Sequence, residues 1–202
     1  MELIIITTDS FFEGEAKAIN ALFQEGLKTL HIRKPQCTKE ELSLLLEQIE
    51  KQHLKRIVLH DHFELVNSFQ LKGYHLNQRN NKLTEKHTDQ TISRSCHSFE
   101  ELQSYDSYDY LFLSPIFNSL SKPGYKEAFT EEELLRAKKA NWIQKKVYAL
   151  GGITPKKFPL VKKQGFGGAA VLGYLWGHYQ EDKDLDKLIQ RFQELQQIEE
   201  TL

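Results

Sequence analysis

"MELIIITTDSFFEGEAKAIN", residues 1–20, decides between two architectures. Its first half holds a short apolar run, Leu3 to Thr7, bounded by polar residues, which reads as a buried strand. A helical pattern follows over 15–25, with Gly26 placed to cap it. A first strand leading into a first helix fits both an open doubly wound sheet and a closed barrel. The open sheet that binds dinucleotides carries Gly-x-Gly-x-x-Gly in this first turn. Here the turn reads Asp9-Ser10-Phe11-Phe12-Glu13-Gly14, with one glycine, which favours the barrel.

The unit then repeats. Strands are expected at 28–33, 56–61, 73–76, 91–95, 108–117, 146–152 and 167–176. Helices or helix-like segments are expected at 39–52, 62–70, 98–104, 130–140, 155–164 and 183–199. Leu42, Leu45, Leu46 and Ile49 recur at helical spacing behind Thr38 as N-cap, and Glu41 completes a capping box. Thr130 is the N-cap of the helix at 130–140, and Pro155 opens the one at 155–164. Parallel strands need crossover connections of this kind. Eight such signals in 202 residues predict a single (β/α)8 TIM barrel, one domain over 1–202, with short loops.

Composition narrows the function. The formal charge is −1, which favours neither a nucleic-acid nor a membrane partner. No run approaches the ~18 apolar residues of a membrane span. The N-terminus has no basic leader and reads as a strand. Two cysteines, Cys37 and Cys96, are too few for a disulfide framework or a zinc cluster and suit a reducing cytoplasm.

In a barrel, reacting groups sit where strands end and the next loops begin. Those places hold His31, Arg33 and Lys34; His60 and Asp61; His75, Asn77 and Gln78; Ser95 and His97; Ser114, Ser119, Ser121 and Lys122. The loops after strands seven and eight hold Gly151, Gly152, Leu172 and Gly173. Any one of these alone reads as a structural residue or a turn; their recurrence at one end of the elements points to a site. Barrels bind phosphate at the last two loops through backbone N–H groups, and glycine allows close approach. Arg33 and Lys122 offer positive charge to an anion. The residues therefore predict a barrel that binds a small phosphorylated compound, with His97 as candidate acid/base.

Six segments carry a resemblance. "HIRKP" (31–35) is similar to Q-x-R-x-K, "HDHFELV" (60–66) to N-D-x-x-x-L-A, and "GYHLNQRN" (73–80) to G-V-H-L-G-Q-x-D. "SCHSFEE" (95–101) is similar to S-x-H-S-x-E-E, "LSPIFNSLSK" (113–122) to x-G-P-I-F-x-T-x-T-K, and "ALGGI" (149–153) to A-I-G-G-I. In this order they resemble thiamine phosphate synthase and its sister branch, the TenI-type thiazole tautomerases. The resemblance to the synthase implies Mg²⁺, held on a pyrophosphate substrate by two aspartates and aided by the Q-x-R-x-K cations. Here Asp61 keeps one aspartate, Asn80 stands at the other, and Pro35 stands at the lysine. Lys34 is positioned to replace that lysine in part.

The resemblance to the tautomerase implies no metal or other cofactor. It makes His97 the acid/base that shifts a proton on a thiazole carboxylate phosphate, with Arg33 and Lys122 beside it. His31, Ser95, Ser119, Ser121, Gly151, Gly152, Leu172 and Gly173 would hold the substrate and its phosphate. The sequence thus favours a tautomerase over a divergent, Mg²⁺-dependent synthase, with a non-catalytic binder of thiamine phosphate as third reading. A homodimer is compatible with either enzyme.

Overall fold

A computed structural model describes residues 1–82, 89–118 and 128–201. Its eight strands are β1 (Glu2–Ile6), β2 (Leu30–Ile32), β3 (Ile57–Leu59), β4 (Gly73–Leu76), β5 (Thr91–Cys96), β6 (Tyr110–Leu113), β7 (Val147–Leu150) and β8 (Gly168–Val171). They form a closed barrel in sequence order, every neighbouring pair parallel. β1 closes the ring against β8 with Glu2 opposite Gly168 and Ile5 opposite Val171. The expected (β/α)8 TIM barrel is the observed fold.

The outer layer holds α1 (Glu15–Gln24), α2 (Lys39–Glu47), α3 (Glu64–Ser68), α4 (Glu131–Lys139), α5 (Phe158–Lys163), α6 (Gly173–Asp182) and α7 (Leu185–Thr201). The anticipated capping box of Thr38 and Glu41 opens α2, and the anticipated N-cap Thr130 opens α4, where Glu133 makes it a second capping box. The expected helix at 98–104 is a 3₁₀ segment over Glu100–Ser107, and a second 3₁₀ segment, Lys51–Arg56, follows α2. No helix separates β4 from β5 among the described residues.

One boundary departs from expectation in a way that shapes the site. The run "GGAAVLGYLW" (167–176) is not one strand. β8 stops at Val171, and α6 begins at Gly173. An apolar run this short and continuous suits a buried strand and a buried helix equally, so periodicity cannot divide it. The indole N–H of Trp176 donates to the Ile6 carbonyl at 2.9 Å and ties α6 onto β1.

Alternation along the strands sorts side chains to two faces. Leu3 and Ile5 join the large core between sheet and helices. Ile4 and Ile6 face the barrel interior with Tyr110, Phe112, Tyr148 and Ala170. That apolar half of the interior comes from β1, β6, β7 and β8. The opposite half is polar: His31, His60, His75 and Ser93 are all buried there, on β2 to β5. Such groups need partners when buried, and they find them in one another.

Candidate active site

The carboxyl ends of the strands enclose a cavity of about 300 Å³. β2 gives it Arg33, β3 gives His60, and the β4 loop gives Asn77, Gln78 and Arg79. β5 gives Ser95 and His97, and the β6 loop gives Ser114 and Pro115. The far wall is Gly151, Gly152 and Ile153 after β7, with Leu172 and Gly173 after β8.

His97 follows directly on β5. Its backbone N–H donates to Glu101 Oε2 at 2.7 Å, which fixes the turn. Its Nδ1 lies 3.0 Å from the Ser114 carbonyl oxygen. A carbonyl only accepts, so Nδ1 carries the proton in that contact. In the neutral ring Nε2 is then the free base. The side chain is exposed and lines the cavity.

The glycine loop lies opposite. Gly151 and Gly152 have φ of 103° and 63°, the left-handed region that glycine enters without strain. The loop is held by two backbone bonds, Ile116 N–H to Leu150 O and Phe117 N–H to Gly151 O. A Cβ on Gly152 would lie 2.2 Å from the Asn118 carbonyl oxygen, so a glycine there lets the β6 and β7 loops close on each other. Beside it, α6 starts at Gly173 and opens the positive end of its dipole at the cavity wall.

Three anticipated roles need correction. His31 is fully buried and does not line the cavity. It sits one layer deeper, with Nδ1 2.9 Å from His60 Nε2 and Nε2 2.6 Å from the Tyr110 hydroxyl, so it is no direct substrate contact. Lys34 does not take over from the missing lysine. It is 1% exposed, and its ammonium donates to Glu15 Oε1 at 2.7 Å and to the carbonyls of Thr8 and Ser10. Burial lowers its pKa, and burial raises that of Glu15 against the pull of the lysine.

Asp61 is the third. Its Oδ1 accepts from Arg79 at 3.2 Å and from Asn80 Nδ2 at 2.9 Å, and its Oδ2 accepts from the Lys34 N–H at 3.3 Å. Mg²⁺ demands near-octahedral oxygen ligands. Here a guanidinium occupies the cation's place and the second position points an amide N–H at the carboxylate. These residues do not fit a hard divalent ion. Ser119, Ser121 and Lys122 lie outside the described residues.

Arg79 escaped the sequence reading. It follows the His75-Leu76-Asn77-Gln78 block, and only the fold shows it lining the cavity beside Asp61. The buried histidines are uncharged: burial, then the neighbouring His75, holds His31 and His60 well below the usual range, and burial pushes His75 down to about 3. Neither cysteine is a ready nucleophile, since burial pushes Cys37 up to about 11 and Cys96 up to about 12.

A (β/α)8 barrel with a double-glycine loop, a helix N-terminus and a histidine around one cavity has the architecture of an enzyme of small phosphorylated substrates. The chain belongs to the thiamine monophosphate synthase family, whose model matches residues 3–175. It is 25% identical over 189 residues to the thiamine-phosphate synthase of Flavobacterium johnsoniae, covering 86% of this chain and 88% of that one. A solved thiamine phosphate pyrophosphorylase from Bacteroides thetaiotaomicron superposes with a TM-score of 0.88 at 41% identity, over 99% and 98% of the two chains. One from Pyrococcus furiosus shares the fold, with a TM-score of 0.77 at 19% identity over 99% and 96%. The family places the chain in thiamine biosynthesis.

Proposed function

We propose that this chain, acting as one barrel domain in the cytoplasm, shifts a proton on a thiazole carboxylate phosphate, a TenI-type tautomerisation. The observation that carries this reading is the Nδ1 contact of His97 with the Ser114 carbonyl. It leaves Nε2 as a base at the cavity, and the wall at Gly151, Gly152 and Gly173 offers amides to the phosphate. A proton shift on a bound ring needs one group that titrates near neutral pH and no leaving group. Arg33 and Arg79 add positive charge at the rim. No helix among the described residues is long and apolar enough to cross a membrane.

A second reading is coupling of a pyrimidine pyrophosphate to thiazole phosphate. The names of the relatives favour it: the Flavobacterium protein and the Bacteroides structure are both named for that reaction. One further observation weighs the other way: the Asp61 carboxylate is already filled by Arg79, Asn80 and the Lys34 amide.

The test is formation of thiamine phosphate from pyrimidine pyrophosphate and thiazole phosphate with ample Mg²⁺. The wild type is expected to give none above background. Asn80→Asp combined with Pro35→Lys returns an anionic ligand and a cation beside Asp61, and is expected to raise residual coupling and its Mg²⁺ dependence. Wild-type coupling at an ordinary enzymatic rate, on the order of 0.1–10 per second, would establish the second reading instead.

A further inference from the structure

Among the described residues, the permanently charged side chains that line the cavity are both guanidiniums: Arg33 after β2 and Arg79 after β4. No carboxylate lines it among the described residues. Arg33 lies 3.7 Å from Asp9, whose side chain is half exposed. Asp61 belongs to a neighbouring pocket, with Pro35 and His62, and Arg79 borders both spaces. Arg79 thus stands between the cavity and the Asp61 carboxylate.

Local hydrogen bonds fix the turn that carries Arg79. Asn77 Oδ1 accepts the backbone N–H of Arg79 at 3.0 Å and that of Asn80 at 3.1 Å. Asn77 Nδ2 and Asn80 Nδ2 both donate to the His60 carbonyl, at 3.0 and 2.9 Å, which pins the loop after β4 to the end of β3. Arg79 Nη2 then donates to Asp61 Oδ1 at 3.2 Å. A guanidinium has five N–H donors, so the others are left for a ligand. The lone pairs of Asp61 are engaged in turn: Oδ1 also accepts from Asn80 and Oδ2 from the Lys34 N–H. The turn is therefore built before any ligand arrives, and little ordering cost falls on binding.

The strands run round the barrel in sequence order, so β4 stands across it from β8, and β3 from β7. The Asp61–Arg79 pair therefore faces the loops of Gly151, Gly152 and Gly173 over the cavity. We propose that Arg79 forms a second anion subsite, which receives the carboxylate of a ligand whose phosphate lies at the glycine loops. The proposal deepens the proton-shift reading and rests on it for the identity of the ligand. A thiazole carboxylate phosphate carries one anionic group at each end, and the cavity offers donors at two opposite walls. The planar fork of arginine matches a carboxylate, and charge-assisted pairs of this kind are the strong ones. Asp61 holds the guanidinium in place, and the guanidinium shields the ligand from Asp61. Arg79 is thus a specificity residue: it selects the carboxylated thiazole over the same phosphate lacking that group, whose bound form would leave the guanidinium without its partner.

Calorimetric titration of the full chain with two probes tests this: the aromatic thiazole carboxylate phosphate, and thiazole phosphate without the carboxylate, both in EDTA. The wild type is expected to bind the first about 10–100-fold more tightly, the scale of a hydrogen-bonded charge pair. Arg79→Gln keeps a donor for Asp61 and removes the charge; it is expected to abolish that preference and to leave the affinity for the second probe within about twofold. Arg79→Lys keeps a point charge without the fork, so the preference is expected to shrink without vanishing. A preference unchanged in both variants overturns the subsite, as does an equal loss for both probes, which a merely structural arginine would give. A preference that needs added Mg²⁺ overturns it in favour of a metal bridge. Arg79-dependent binding of inorganic pyrophosphate, with the carboxylate preference untouched by Arg79→Gln, overturns it in favour of a leaving-group site. Equilibrium binding requires no turnover. A wild type that shows the Arg79-dependent preference but shifts no proton fails the reaction assigned above and upholds the subsite.

Discussion

Replacing His97 by alanine is expected to lower the proton-shift rate by ~100-fold or more, the usual contribution of a positioned acid/base. The side chain lies at the cavity, with Nδ1 3.0 Å from the Ser114 carbonyl oxygen and 3.4 Å from the Ser114 hydroxyl. It is exposed, so its removal opens no core cavity and the fold is expected to stand. The wall proposed to hold the phosphate belongs to other elements, β7 and α6, and ligand affinity is expected to change little. His97→Gln separates the roles further, since an amide can keep a hydrogen bond to the carbonyl but cannot carry the proton. Stopped-flow rates and calorimetric affinities of both variants check this. Unchanged turnover in His97→Ala would return the residue to a structural role.

Lys34→Met is expected to cost ~3–5 kcal/mol of stability, the scale of breaking one partner out of a buried ion pair. The ammonium is enclosed with Glu15 at 2.7 Å and also ties down the carbonyls of Thr8 and Ser10 after β1. Without it the Glu15 carboxylate is left buried beside an apolar thioether, and its Oε2 already has no partner. Adding Glu15→Leu removes the stranded charge and is expected to recover much of the loss. Urea unfolding of the single and double variants measures both. A loss below ~1 kcal/mol in Lys34→Met, with weakened ligand binding instead, would mean that Lys34 serves the ligand after all.

Much of this was legible in the sequence for a definite reason. The strands of a parallel barrel are short apolar runs with helical periodicity between them, and the capping box at Thr38 and the N-cap at Thr130 mark helix starts independently of hydrophobicity. The end of β8 was hidden because Ala169 to Trp176 is apolar on both sides of the strand–helix junction. Lys34 reads as a site cation because it adjoins Arg33 in "HIRKP". Only the fold shows that adjacent residues at a strand end point to opposite faces, so that Arg33 reaches the cavity and Lys34 reaches Glu15.

The buried histidine cluster had a partial signal. His31, His60 and His75 fall on three successive strands, and Ser93 and Ser95 are two apart on the next, the spacing of one strand face. What the sequence could not supply is the register that brings His31 to His60 and to Tyr110, which lies four strands on in chain order, from β2 to β6. Arg79 was missed for a related reason. Its meaning depends on Asp61, eighteen residues earlier, whose carboxylate it occupies where a metal would otherwise bind.

The central claim is that this family member moves a proton rather than displacing pyrophosphate. The most direct measurement follows purified wild-type protein with the thiazole carboxylate phosphate tautomer alone, in D₂O, by proton NMR. The account predicts conversion to the aromatic isomer with solvent deuterium taken up at the reprotonated position, at a rate on the order of 0.1–10 per second and independent of added Mg²⁺ or chelator. An unchanged spectrum, with thiamine phosphate appearing once pyrimidine pyrophosphate and Mg²⁺ are supplied, would contradict it.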